Sequence, residues 1–190
     1  MTLRVYDTRT REKREFSPLN EGRVSMYVCG ITPYSPSHLG HARCYLAFDL
    51  VHRWLEASGY EVDYVQNFTD IDDKILNISE SEGVDFSVVS NRNIDDYFEV
   101  MDAMNVLRAD HYPRVTETIS EIIDMISKLQ EKGHAYVGGD GVYFEIDTAP
   151  EKYGQLTGQT LEMVRAGAVS YTHLRAHETD SYLVCRLLLE

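Results

Sequence analysis

The feature that most constrains the fold is a strand, loop, helix and strand pattern between Val24 and Phe68. A β-rich run at residues 24–29 ends at Gly30, and prolines in the following loop prevent a helix there. A second β-rich run at residues 60–68 comes after apolar residues spaced as one helix face, which are Leu39, Ala42, Leu46, Leu50 and Trp54. A βαβ unit takes a right-handed crossover and a parallel sheet, so the sequence predicts an α/β fold.

The pattern changes after this unit. Helices are predicted at residues 73–82, 85–107 and 119–129, followed by a β-hairpin of 134–137 with 142–146 around a glycine-rich turn. We therefore expect the α/β part to be followed by the start of a mixed α+β insertion. The predicted division places the nucleotide-binding half-domain at residues 1–107 and the insertion at 108–168.

The last 22 residues, 169–190, differ from the rest of the chain. Their first and last blocks resemble the translation of a transposase-type sequencing-library adapter, and the middle corresponds to a variable index. We interpret this segment as read-through that is not native, so His173, His177 and Cys185 receive no functional role. The alternative is a native helical tail, in which His173 and His177 lie four residues apart and mimic a metal pair.

Composition excludes several classes of protein. A net charge of −13 argues against a broad electrostatic grip on nucleic acid, although one local basic face stays compatible with it. The sequence contains no run of about 18 apolar residues, so no membrane span is predicted. The N-terminus lacks the apolar core of a signal peptide. Three cysteines cannot form a disulfide framework, which fits a reducing compartment. We expect a cytoplasmic protein without a membrane partner.

The first candidate motif is His38-Leu39-Gly40-His41, which follows the loop and opens the helix. Backbone N–H groups at a helix N-terminus attract phosphate, and two imidazoles at i and i+3 can donate hydrogen bonds to a polyphosphate. Gly40 leaves room for a flat base to approach the backbone. The alternatives are a surface histidine pair and an incidental metal pair.

The second candidate is Cys29, at the carboxyl end of the first core strand, where α/β sheets bind their ligands. From the residue type alone it is a metal thiolate, a nucleophile or a small buried hydrophobe. Cys44, one helical turn after His41, is expected to be a core residue.

The third candidate is the block 67–74, at the end of the second strand, with three carboxylates in four residues. These groups can bind a divalent metal or cap a helix, and the alternative is a solvated turn in which Asp72 is the N-cap. The Thr69 hydroxyl is available to polar groups of a ligand.

Together and in order, these motifs resemble the cysteinyl-tRNA synthetases, a family of class I aminoacyl-tRNA synthetases. Residues 26–32 are similar to the strand that carries the family's first zinc ligand, and 38–41 to its ATP-binding signature. The block 67–74 is similar to the family's Asp-Ile-Asp-Asp-Lys block, and further matches lie at 109–110, 113–114 and 131–136. The resemblance covers residues 3–168.

The resemblance implies a Rossmann-like, parallel-sheet catalytic domain and a two-step reaction. L-cysteine and ATP, with Mg²⁺, give cysteinyl-adenylate, and the cysteinyl group then passes to tRNA(Cys). It implies that His38 and His41 are catalytic and bind ATP together with Thr32 and Gly40, while Gly30 and Thr69 line the amino-acid pocket. It also implies that Cys29 is one of four Zn²⁺ ligands, that the substrate thiolate bonds the zinc, and that the full-length enzyme is a monomer.

The chain departs from this family where it stops. The other zinc ligands, a lysine-rich second ATP signature and the helical anticodon-binding region are expected beyond Ala168 and do not occur. We therefore predict that the chain as written neither binds zinc stoichiometrically nor activates cysteine, and that an exposed sheet edge impairs its folding. The alternatives are a cysteine:amino-sugar ligase of mycothiol synthesis, which Lys74 after Asp73 disfavours, and a non-catalytic nucleotide-binding fragment.

Overall fold

The structure is a computed structural model that describes residues 3–139, 141–150, 152–158, 160 and 163. The chain divides into two compact units. One is Ser17–Ser120, and the other combines Met1–Phe16 with Glu121–Glu190. The candidate site lies in the first of these, and the predicted boundary between residues 107 and 108 stays a prediction.

The βαβ unit forms as predicted. Strand β3 (Arg23–Ile31) leads through a loop into helix α1 (Leu39–Ala57), and the chain returns as strand β4 (Glu61–Phe68). The two strands are parallel, and their pairing runs regularly from Arg23 opposite Glu61 to Val28 opposite Gln66. The register then shifts before Ile31 meets Phe68. This irregularity lies at the carboxyl end of the strands, where the candidate residues are.

A third extended segment lies along β4. The amide of Gln66 donates to the carbonyl of His111 at 3.0 Å, and that of Phe68 to the carbonyl of Pro113 at 2.9 Å. Both bridges, Val65 with His111 and Phe68 with Arg114, are parallel. The sequence pattern does not reveal this segment, residues 109–114, because its proline and its charges do not resemble a strand.

Aromatic and aliphatic side chains from the sheet, α1 and α3 (Phe86–Ala103) form one core. Phe68 meets the rings of Tyr97 and Phe98 edge-on, each at 5.6 Å, and such edge-to-face pairs add to the stabilisation that burial provides. The buried members of the cluster are Val28, Ile31, Tyr45, Tyr64, Phe68, Ile94, Tyr97, Met101 and Ala109. This core fixes α3 beside the sheet and the loop that follows β3.

The buried face of α1 differs from the predicted one. Leu39, Leu46, Leu50 and Trp54 are exposed, whereas the buried residues are Ala42, Tyr45, Asp49, His52 and Leu55. The expectation that Cys44 is a core residue is also wrong, since its side chain is exposed. Asp49 tolerates burial because its carboxylate accepts from the amide of Leu107 and from Arg53 Nε, both at 2.8 Å.

Helix α2 (Asp73–Glu82) forms over the predicted residues, with Asp72 as N-cap and Gly83 closing it at φ 66°. In that left-handed conformation a glycine is favoured. Helix α3 is shorter than the predicted 85–107. It ends at Ala103, and Asn105 adopts φ 58°, which turns the chain away from the helix axis.

The second unit contains two hairpins and helix α4 (Ile119–Glu131), most of which belongs to it. Strands β1 (Arg4–Asp7) and β2 (Glu12–Glu15) pair antiparallel, as do β5 (Ala135–Val137) and β6 (Val142–Phe144). The predicted hairpin is confirmed. The adapter-like segment 169–190 lies outside the described residues. Among the described helices, none is long and apolar enough to cross a membrane.

Candidate active site

The predicted site residues gather where β3 and β4 end. The amide of Thr69 donates to the carbonyl of Ile31 at 3.0 Å, which ties the chain after β4 to the end of β3. The Tyr45 hydroxyl donates to the carbonyl of Cys29 at 3.3 Å and so links α1 to the same edge. Ligands of parallel α/β sheets bind at this edge.

Asn67 connects two of the predicted amino-acid-binding residues. Its Oδ1 accepts from the Gly30 amide at 2.8 Å, and its Nδ2 donates to Thr69 Oγ1 at 3.4 Å. Tyr27 also donates to Oδ1, at 2.8 Å. The sequence pattern predicts no separate role for Asn67. Its signal was its position inside the 67–74 block, one residue after the regular register ends.

Gly30 is required by its neighbour across the sheet. A Cβ built at this position would lie 1.5 Å from the carbonyl oxygen of Asn67. No side chain fits at that distance, so only glycine allows the two strand ends to approach this closely.

His38 and His41 form a capping box at the start of α1. His38 Nδ1 accepts from the amide of Gly40 at 3.0 Å, and His41 Nδ1 accepts from the amide of His38 at 3.3 Å. The rings stack with centroids 3.8 Å apart and 17° between planes. Two of the amides that a helix N-terminus leaves free are thereby satisfied.

This capping assigns the proton on each ring. An amide N–H can only donate, so both Nδ1 atoms are acceptors and carry no hydrogen. A neutral ring then has its proton on Nε2, which is a donor. Burial, and then the neighbouring His38, lower the pKa of His41 and favour this neutral form. The pair therefore presents two Nε2–H donors at the positive end of a helix.

Gly40 has a second reason to be glycine besides the predicted approach of a base. A Cβ there would lie 2.8 Å from Cε1 and 2.9 Å from Nδ1 of His38. Any side chain would push the His38 ring away from the amide that it caps. Thr32, the remaining predicted ATP-binding residue, accepts through its carbonyl from the amide of Tyr34 at 2.9 Å, inside the loop before α1.

The three acids of the 67–74 block act within the fold. Asp70 is buried and accepts from the amide of Thr116 at 3.0 Å and from its hydroxyl at 2.6 Å. Asp72 caps α2 through the amide of Lys74 at 2.9 Å, and Asp73 begins that helix. They are divided between two tasks rather than converging on one point.

The described residues do not fit a resident zinc ion by themselves. Cys29 is exposed at the end of β3, and partial desolvation of its sulfur, followed by the nearby Cys44, raises the pKa of the metal-free thiol. Within the described part of the chain, no group of three or more His, Cys, Asp or Glu side chains could hold a metal. A structural zinc site takes four ligands, so one cysteine is insufficient.

Known proteins resemble this chain in sequence and in fold. The family described as tRNA synthetases class I (C) catalytic domain matches residues 15–184, a range that includes part of the adapter-like segment. The chain is 54% identical over 168 residues to the cysteine–tRNA ligase of Pyrococcus horikoshii, covering 88% of this chain and 35% of that protein. It is 46% identical over 166 residues to that of Dehalococcoides mccartyi, covering 87% and 36%.

A solved structure agrees at the level of the fold. Mycobacterium tuberculosis methionyl-tRNA synthetase, in complex with methionyl-adenylate, superposes with a TM-score of 0.53 at 22% identity, over 59% of this chain and 23% of that one. The predicted Rossmann-like α/β fold is thus confirmed. The chain spans about a third of the length of the curated relatives it matches. It belongs to the family of class I (C) tRNA synthetase catalytic domains.

Proposed function

We propose that the chain is the N-terminal part of the catalytic domain of a cysteine–tRNA ligase, which activates L-cysteine with ATP and transfers it to tRNA(Cys). The stacked pair of His38 and His41 at the α1 N-terminus carries the proposal. Further support comes from relatives that are about 50% identical to this chain over the aligned residues and are named cysteine–tRNA ligases.

In the proposed activation step, an oxygen of the cysteine carboxylate attacks the α-phosphorus of ATP. A new O–P bond forms, the bond to the bridging oxygen of the β-phosphate breaks, and pyrophosphate leaves with the electron pair. The carboxylate is already a nucleophile, so the step needs no general base. His38 and His41 donate through Nε2 to phosphate oxygens, where negative charge redistributes as the transition state forms.

The same arrangement explains why neutral histidines suit the task. Each ring uses Nδ1 to hold its place on the helix and keeps Nε2–H for the ligand. The oriented amides of the α1 N-terminus add a positive potential that does not depend on protonation. Thr32 and Gly40 are proposed to line the ATP site.

Gly30 and Thr69 are proposed to line the amino-acid pocket. Asn67 links both, so their spacing is set by one side chain and by the absence of a Cβ at Gly30. Cys29 immediately precedes Gly30 in the sequence and stays a prediction for one zinc ligand.

Cysteine-dependent exchange of pyrophosphate into ATP tests the proposal, with the protein expressed from the gene cloned anew from its source. We expect exchange with cysteine and little with serine, and charging of tRNA(Cys) only when cysteine is present. A His38→Ala, His41→Ala double variant is expected to lose about 100- to 1000-fold or more in rate. Exchange that is independent of cysteine, or absent from a folded wild-type protein, contradicts the proposal.

A further inference from the structure

The loop between β3 and α1, residues 32–38, requires support from outside itself. It carries Thr32 and His38, and a short backbone bond from the amide of Tyr34 to the carbonyl of Thr32 folds its first half. Pro33 and Pro36 have no amide hydrogen to contribute. Yet His38 must keep an extended backbone, φ −131° and ψ 172°, in order to cap α1.

Helix α3 supplies that support through two side chains three residues apart. Asn93 is 3% exposed, and its Nδ2 donates to the carbonyl of Pro33 at 3.1 Å and to that of Val89 at 2.9 Å. Both hydrogens of the amide are therefore used, which fixes its orientation. Asp96 Oδ2 accepts from the amide of Ser37 at 2.7 Å.

The hydrogen bonds to Pro33 and Ser37 hold the loop near its two ends. Pro33 is fully buried near the end of β3, and Ser37 immediately precedes the N-cap His38. The Asp96 bond is charge-assisted, and a carboxylate beside a helix N-terminus is also favoured by the helix dipole.

Helix α3 can hold the loop in place because α3 is itself fixed by the core and by β4. Its buried side chains pack in the core, and Gln66 Nε2 of β4 donates to the Tyr97 hydroxyl at 2.6 Å. Asn93 and Asp96 thus fix the position of the loop that ends at His38 relative to the core.

We propose that Asn93 and Asp96 are positioning residues. They hold the 32–38 loop so that His38 and His41 donate hydrogen bonds to the same phosphate chain. This inference rests on the proposed function. Neither residue is expected to touch a substrate, and both act through the loop.

Four variants separate positioning from general stability. Asn93→Ala and Asp96→Ala each remove one bond to the loop. Asp96→Asn keeps an acceptor oxygen for the Ser37 amide and removes only the charge. Asp95→Ala is the matched control, because Asp95 is an exposed acid on the same helix.

The first readout needs no activity. Histidine-labelled protein from the natural gene is examined by NMR, because stacking of the His38 and His41 rings shifts their ring-proton signals. We expect Asn93→Ala and Asp96→Ala to move both sets of signals, and Asp96→Asn and Asp95→Ala to leave them near the wild-type positions. Unchanged signals in folded Asp96→Ala overturn the inference.

The second readout is pyrophosphate exchange by the same proteins. The two bond-removing variants are expected to raise the KM for ATP by about tenfold and to change the KM for cysteine little. An equal rise in both constants that follows the fall in Tm indicates a merely structural role and overturns the inference. If the wild type lacks cysteine-dependent exchange, the proposed function fails, while the histidine signals still decide the positioning.

Discussion

At the residue scale, the histidine pair shows what a motif can and cannot predict. The spacing His-x-x-His at a helix start predicts that both rings lie near one side of the first turn, and the two rings do stack there. It does not predict the capping box, because that depends on the rotamer of each ring and on their stacking at 3.8 Å. The sequence also does not predict the hydrogen bonds of Asn67, because they depend on the register shift between β3 and β4.

Two substitutions at His38 separate its two nitrogens. Asparagine places an acceptor oxygen near the Nδ1 position, so His38→Asn is expected to keep the cap and the Tm but to lose pyrophosphate exchange. Glutamine places a donor near the Nε2 position, so His38→Gln is expected to keep more of the exchange rate. It should cost about 1 kcal/mol of stability through the lost cap. An equally active His38→Asn contradicts the assignment of the Nε2 donor.

The pH dependence of stability follows from His41. Its pKa in the folded protein lies below the ordinary value of 6.5, because burial and His38 disfavour the charged ring. As the pH falls below 6.5, the unfolded state takes up this proton first, so the free energy of unfolding decreases until the pH passes the folded pKa. We expect His41→Asn to remove this contribution. Urea unfolding across the acidic range measures it, and an unchanged slope in the variant argues against it.

Gly30 gives a steric prediction. The Cβ of Gly30→Ala would overlap the Asn67 carbonyl, so the strand ends must separate. We expect a loss of stability of about 1–3 kcal/mol, measured by chemical denaturation. Gly139→Ala serves as the control, because a Cβ there meets nothing within 4 Å. Equal stability of the two variants contradicts the close approach of β3 and β4.

At the scale of elements, the sequence predicts where α1 lies but not which side is buried. The apolar stripe that includes Leu46 and Leu50 suggests one face, and the structure buries another that contains Asp49 and His52. Hydrophobic spacing alone fails here because hydrogen bonds make Asp49 compatible with the interior. The extended segment beside β4 is missed for a related reason, since backbone bonds rather than side-chain pattern define it.

Asp49 joins α1 to the chain that follows α3. Removing its carboxylate leaves the amide of Leu107 without this acceptor, so we expect Asp49→Ala to lower the free energy of unfolding by about 1–3 kcal/mol. Asp49→Asn keeps an acceptor oxygen and should lose less. Denaturant titrations compare the two, and a neutral Asp49→Ala shows that the link does not stabilise the fold.

At the scale of the whole molecule, family and fold follow from several ordered motifs, while the metal site does not. The chain spans 35% of the Pyrococcus horikoshii relative, and among the described residues Cys29 has no cluster of metal-binding partners. We expect the 190-residue chain to contain well under one zinc per molecule by elemental analysis, because one thiol is insufficient. One zinc per molecule in the wild type, lost in Cys29→Ser, contradicts this expectation. Resequencing of the gene beyond codon 168 separately tests the adapter-like segment.

We propose that the stacked histidines and the ends of β3 and β4 together form an adenylate site. The most direct measurement is a crystal structure of the protein from the natural gene with a sulfamoyl analogue of cysteinyl-adenylate. We expect the sulfamoyl group, which takes the place of the α-phosphate, to lie within hydrogen-bond distance of Nε2 of His38 or His41. We also expect the cysteinyl group to lie beside Gly30 and Thr69. An analogue bound away from this edge of the sheet contradicts the proposed adenylate site.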